Sequence, residues 1–154
     1  MIAGLGFMVD VYDVIIFTVV RITSLTALGV THDKLLSTGV MLLNMQLCGM
    51  VLGGLLWGII GDKKGRRAAL FGSIFLYSIA NLFNAGVNSV EMYALLRFIA
   101  GIGLAGEIGA AMTIAAEVTP AKYRAYGTSV VAGMGVFGSI IASGVADFMP
   151  WRVA

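Results

Sequence analysis

Gly58-Ile59-Ile60-Gly61-Asp62-Lys63-Lys64-Gly65-Arg66-Arg67 is the stretch whose reading decides the fold. It closes one run of mostly apolar residues and is followed at once by another, Ala68 to Val87. Lys63, Lys64, Arg66 and Arg67 together would be very costly in hydrocarbon, so water must lie here and the stretch reads as a tight charged hairpin between two membrane helices. Short basic loops favour the cytoplasmic side, and that bias sets the expected orientation of the rest.

Composition points the same way. The 154 residues are 59% hydrophobic and 12% charged, with a mean hydropathy of +0.96. A soluble enzyme is excluded by those values, and an all-α, multi-pass membrane protein is expected. A span needs about 20 residues to cross about 30 Å of hydrocarbon, and five fit, at about 4–27, 38–60, 68–87, 91–116 and 127–148. Twenty-one glycines against two prolines suit close helix packing in lipid. Gly49, Gly53, Gly54 and Gly58 in the second span form two small-xxx-small spacings of that kind. In the third span, Ser73, Tyr77, Asn81 and Asn84 fall on one helical face, a polar stripe expected to turn toward a neighbouring helix.

Several features exclude other classes. The net charge of +2 is too small to argue for nucleic acid. Cys48 stands alone and can form no internal disulfide. The first apolar run holds Asp10 and Asp13 and leads to no small-residue cleavage site, so it reads as a mature first helix and not as a signal peptide. His32 sits in an expected outer loop, 29–37, with no second ligand near it in sequence, and reads as a solvated histidine. Ser37 or Thr38 is expected to cap the second span. Gly101, Gly103 and Gly106 match a dinucleotide-loop spacing but lie inside a span with no preceding strand. No cofactor, metal site or enzymatic nucleophile is expected.

Counted by loop, Lys63, Lys64, Arg66, Arg67, Lys122 and Arg124 fall inside, against Lys34 and Arg152 outside. Loops 61–67 and 117–126 are therefore expected to be cytoplasmic, with the protein in a bacterial inner membrane. Pro150, Trp151 and Arg152 read as the lead-in to a sixth helix that is cut off.

Five charges lie within spans: Asp10, Asp13 and Arg21 in the first, Arg97 and Glu107 in the fourth. Ionisable groups at such depth face a cavity or a partner. Counting rise per residue places the acids toward the inside and the two arginines toward the outside. Carboxylates held close together in a poorly hydrated cavity are harder to ionise, which makes Asp10, Asp13 and Glu107 proton-coupling candidates. Arg21 and Arg97 would attract an anion such as a carboxylate; in the other reading they snorkel to the interface or pair with the acids and hold helices together.

The hairpin carries a family resemblance. Gly58, Asp62, Lys63, Gly65, Arg66 and Arg67 each fall on a position of the signature between the second and third helices of the major facilitator superfamily of secondary transporters. Arg97, Gly101, Gly103, Gly106 and Glu107 resemble the fourth-helix motif of that family, and their Gly-Glu ending is similar to members that carry sugars, phosphate or organic acids. Asp10, Tyr12 and Asp13 resemble the acidic first-helix signature of proton symporters for organic and aromatic acids, which adds Tyr12 to the substrate-binding candidates. Glu117, Pro120 and Arg124 fit the charged segment after the fourth helix.

The resemblance implies five helices of a six-helix N-terminal half, with the first and fourth lining a central cavity. It implies a partner half, a small-molecule substrate and a proton, and a charge network on the inner face. That network would link Glu117 with Arg66 or Arg67, and Asp62 with Arg66 or Arg124, as a conformational switch. The fifth span lacks the Gly-Pro pair of drug antiporters, which leans toward symport or uniport. Proton-coupled symport of a small carboxylate is the expected function. A sugar or phosphate carrier, a uniporter, and a transport-dead membrane sensor or assembly subunit are the alternatives.

Overall fold

In a computed structural model the described residues form five helices: α1 Ile2–Ala27, α2 His32–Lys64, α3 Arg66–Asn84, α4 Val90–Val118 and α5 Arg124–Phe148. The structure describes residues 2–118, 120 and 123–148. The expected helix lead-in at 150–152 and Lys122 lie outside the described residues, as do the side chains of Glu117 and Arg124.

Local chemistry explains where the helices stop. The end of α1 is closed by Gly29 at φ 78°, with Val30 N–H donating to Leu25 O at 3.1 Å and Gly29 N–H to Thr26 O at 3.0 Å. These are the two bonds that satisfy a helix C-terminus when glycine takes a left-handed conformation. The chain turns so sharply there that the next helix starts almost at once. Thus α2 begins at His32 with Thr31 as its N-cap, and the loop expected up to Ser37 is helical. Neither Ser37 nor Thr38 caps it; the Ser37 hydroxyl donates to Lys34 O at 3.0 Å within the helix. His32 is exposed, on the first turn of α2. At the start of α4, Ser89 is the cap, its Oγ accepting from Met92 N–H at 3.3 Å.

The signature hairpin is tighter than its sequence implies. Gly65 alone separates α2 from α3, at φ 90° and ψ 153°, a backbone region that is essentially restricted to glycine. Asp62, Lys63 and Lys64 are the last residues of α2, and Arg66 and Arg67 the first of α3.

Glycine contacts set the packing. A Cβ on Gly49 would strike the Phe98 carbonyl, one on Gly53 the Ile102 backbone, and one on Gly101 the Gln46 carbonyl, so α2 and α4 meet backbone to backbone. Gly54 and Gly58 face open space. Of the two small-xxx-small spacings, only the first is a helix contact. The other face of α4 receives α3, where Tyr77 and Ser73 press against Gly103 and Gly106. The polar stripe on α3 therefore does turn toward a neighbour. The Trp57 ring fills the space left by Gly72 and Gly106, and its indole N–H donates to Ile102 O at 2.8 Å. On the opposite flank, Gly135 and Gly138 of α5 receive Phe7 and Met8 of α1. The helix α4 is thus the centre of the bundle, with α2 and α3 against it and the α1–α5 pair alongside.

The outer faces are apolar. Leu47, Val51 and Leu55 on α2, Phe71, Phe75 and Leu82 on α3, and Val130, Phe137 and Ile140 on α5 are all exposed. Exposed apolar side chains in this number suit acyl chains, not water. Among the described residues three helical segments, His32–Lys64, Val90–Ala110 and Ala125–Gly144, are long and apolar enough to cross a membrane. On the other two helices Asp10 and Ser24 of α1 and Ser73 of α3 are buried.

Candidate functional site

Four of the five charged residues expected within spans, Asp10, Asp13, Arg97 and Glu107, lie along the seam between α1 and α4. The two helices run antiparallel. A Cβ on Gly6 would stand 3.3 Å from Glu107 Oε1, Asp13 meets Arg97, and the Ser24 and Tyr93 hydroxyls lie 3.3 Å apart. Asp10 sits on α1 between the first two of these levels. Asp13 and Glu107 therefore both face this seam.

Arg97 is the best-held of these groups. Its Nη1 lies 3.5 Å from Asp13 Oδ2, with side-chain exposures of only 8% and 13%. Its guanidinium carbon stands 3.8 Å from the centre of the Phe17 ring and 5.6 Å from that of Tyr93. Phe17 and Tyr93 are themselves edge to face, 5.9 Å apart. With the Asn84 amide turned so that its oxygen faces the cation, that oxygen accepts from Nη2 at 3.0 Å and from Nε at 3.1 Å. The opposite orientation would set an NH2 group against a guanidinium, so the hydrogen-bond chemistry fixes the choice. Tyr77 and Asn81 line the same cavity as Asp13.

This pair closes one side of a cavity of about 470 Å³ walled by α1, α3 and α4, whose lining includes Tyr12, Tyr77, Asn81 and Tyr93. An aromatic wall with a few convergent polar groups is the usual form of a small-molecule site.

The remaining candidates are distributed differently. Asp10 is fully buried, and neither of its carboxylate oxygens has a hydrogen-bond partner among the described residues. Gln46 on α2 is in the same condition. Glu107 is buried. Arg21 lies along α2, where a Cβ on Gly39 would be 3.5 Å from its Cδ. It stands apart from the Arg97 cluster, so the structure does not bring the two arginines together into one anion site. The expected separation of acids and arginines into two depths also fails for Asp13 and Arg97. An arginine side chain spans more than a helical turn, and a count of rise per residue leaves that reach out.

At the basic end, Asp62 Oδ1 and Arg66 Nη1 are 3.3 Å apart, with side-chain exposures of 71% for the acid and 42% for the arginine. This is one link of the expected inner-face network. A second cavity of about 150 Å³, lined by Gly54, Gly58, Gly61, Arg66 and Gly109 among others, lies beside it. The links expected from Glu117 and Arg124 involve side chains outside the described residues.

Two members of the Arg97 cluster are not evident from sequence. Phe17 lies one turn beyond Asp13, and Asn84 ends the polar stripe on α3. The stripe was the only signal for Asn84, and it marks a face without naming a partner.

Apolar-faced helices packed through glycines, with charges kept on an internal seam beside an aromatic cavity, define a multi-pass membrane protein that holds polar groups inside the bilayer. Across residues 2–154 the chain matches the family model of the Major Facilitator Superfamily, and it belongs to that superfamily. It is similar to the sialic acid transporter NanX of Escherichia coli strain K12, at 30% identity, over 97% of this chain and 37% of the relative. It is also similar to the gentisate transporter of Corynebacterium glutamicum, at 28% identity, over 86% of this chain and 29% of the relative. The niacin transporter NiaP of Acinetobacter baylyi is 26% identical, over 99% of this chain and 35% of the relative. The chain thus spans about a third of the length of these curated relatives. No solved structure matches it at a significant level.

Proposed function

We propose that the chain supplies five spans of the N-terminal half of a twelve-helix secondary transporter that carries a small organic carboxylate together with a proton. All five helices would cross the membrane, with the basic hairpin at Gly65 on the cytoplasmic side. The chain would not transport alone, because alternating access needs a second half to close against.

The observation that carries the reading is the contact between Asp13 and Arg97 beside an aromatic cavity. One guanidinium in a poorly hydrated site balances one carboxylate. A second carboxylate would leave an uncompensated buried charge, which costs several kcal/mol, of the order of 3 to 5. A substrate carboxylate therefore takes Arg97 when Asp13 accepts a proton, and Asp13 reclaims the arginine when substrate and proton leave. Acid and proton then move together with no net charge. Asp10 and Glu107, on the same seam, are the proton-site candidates next in line, and Tyr12 lines the cavity as a substrate contact. An uncharged sugar would give Arg97 no such exchange of partners, which favours the carboxylate over the sugar reading. The sialic acid and gentisate relatives support it, since both names denote organic acids.

The test is uptake by the intact transporter in proteoliposomes under an imposed pH gradient, over a panel of organic acids. Gradient-driven uptake of at least one acid is expected, and Asp13→Asn should abolish the drive. The reading fails if no acid is taken up, or if the pH gradient drives uptake by Asp13→Asn as it does by the wild type.

A further inference from the structure

The Asp13–Arg97 contact is the longest polar link that Arg97 makes, at 3.5 Å. The shorter ones go to Asn84, at 3.0 and 3.1 Å, and the Phe17 face lies at 3.8 Å. These two groups differ from Asp13 in one respect: neither can change charge. Whatever happens to the proton on Asp13, the amide of Asn84 and the ring of Phe17 continue to hold the cation.

We propose that Asn84 is the positioning residue of the site, holding Arg97 at fixed orientation through the cycle so that the substrate carboxylate meets a cation already in place. The proposal rests on the carboxylate reading of the Asp13–Arg97 pair and adds the element that makes the exchange possible. An arginine tethered only by Asp13 would lose its orientation when Asp13 became neutral, and its long side chain would follow water out of the cavity. Here one oxygen of Asn84 takes the Nε and Nη2 N–H groups along one side of the guanidinium plane. The plane itself is covered by Phe17, with a second contact to Tyr93. Asp13 takes one N–H on Nη1. Two N–H groups, one on each Nη, take part in none of these contacts and are left to donate to a carboxylate.

The choice of an amide is specific. A carboxylate at position 84 would give Arg97 a permanent counter-ion, and the incoming acid would find no free charge. A hydrocarbon there would leave two N–H groups of a buried cation without acceptors. Other titratable groups near the site are Asp10, Tyr12 and Asp13 on α1, Tyr77 on α3, and Tyr93 and Glu107 on α4. Asn84, unlike these, carries no proton that could be exchanged. Asn84 lines the cavity itself, but with no titratable group it can alter the pH dependence of uptake only through Arg97.

The experiment compares wild type, Asn84→Gln, Asn84→Leu and Asn84→Asp in the intact transporter, after wild-type uptake of an organic acid under a pH gradient has been established. Protein level in the membrane and thermal stability in detergent are measured for each. Asn84→Leu should raise KM for the acid about tenfold with little change in kcat, as expected for the loss of hydrogen bonds to a charged group. Asn84→Gln, which keeps an amide oxygen, should recover most of that loss. Asn84→Asp should lower uptake at least tenfold and flatten its dependence on external pH. If Asn84→Leu does not fold, the contrast between Gln and Asp still decides the matter. The proposal is overturned if both keep wild-type KM and pH profile while wild type is driven by the gradient. A wild type that shows no driven uptake contradicts the transport reading itself, which separates the two failures.

Discussion

Two ion pairs of nearly equal length sit at two places in this molecule. Asp62–Arg66 spans 3.3 Å at the tight turn between α2 and α3, and Asp13–Arg97 spans 3.5 Å on the seam between α1 and α4. The first is largely exposed and joins residues four apart in sequence across Gly65. The second is buried, joins two helices, and is flanked by Phe17, Tyr93 and Asn84. Distance does not distinguish them; surroundings do. Around the exposed pair, water stabilises each charge almost as well as its partner does. Around the buried pair, removal of either partner leaves the other without its counter-ion, since Asn84 and Phe17 hold the arginine but carry no charge. An exchange of partners, which is what coupled transport requires, is consequential only at the second place.

The largest effect that follows is on Arg97. Arg97→Ala should destabilise the protein by about 3 to 5 kcal/mol, measured by thermal unfolding in detergent, because it leaves Asp13 buried and unpaired. A loss below about 1 kcal/mol would make this pair resemble the exposed one and break the comparison. Gly49→Ala comes next, at about 1 to 3 kcal/mol, because the added methyl strikes the Phe98 carbonyl and pushes α2 off α4. Gly54→Ala, in open space, is the matched control and should be nearly neutral. Gly65→Ala should cost about 1 to 3 kcal/mol, since alanine at φ 90° is strained whatever space surrounds it. Asp62→Ala is the smallest, at less than about 1 kcal/mol on unfolding.

Much of this architecture is legible in the chain. Four cations between two apolar runs leave little choice but a hairpin in water, and Gly65 marks where it turns. The stripe from Ser73 to Asn84 identifies the buried face of α3, because a polar side chain in lipid has nowhere else to go. The two glycine spacings in α2 are a different case. Gly49 and Gly53 touch α4, and Gly54 and Gly58 touch nothing described within 4 Å. The letters are the same in both, and only the position of the neighbouring backbone separates them. The start of α2 was misplaced for a local reason: closure of α1 at Gly29 leaves no room for the expected loop.

The site itself was half legible. The charges within α1 and α4 announce themselves by their cost in hydrocarbon, but their partners do not. Asp13 and Arg97 stand 84 residues apart in sequence. Finding their contact requires the antiparallel register of two helices to within about one turn, which uncertain span boundaries cannot supply. Asn84 needed, in addition, the register of α3 against α4.

The most direct test of the central claim compares two kinds of flux by the intact transporter carrying Asp13→Asn. With the position permanently neutral, Arg97 is free for substrate in every state. Exchange of labelled for unlabelled acid across the membrane should continue, and net uptake driven by a pH gradient should disappear. If Asp13→Asn accumulates the acid against its gradient as the wild type does, Asp13 does not carry the proton and the account is wrong.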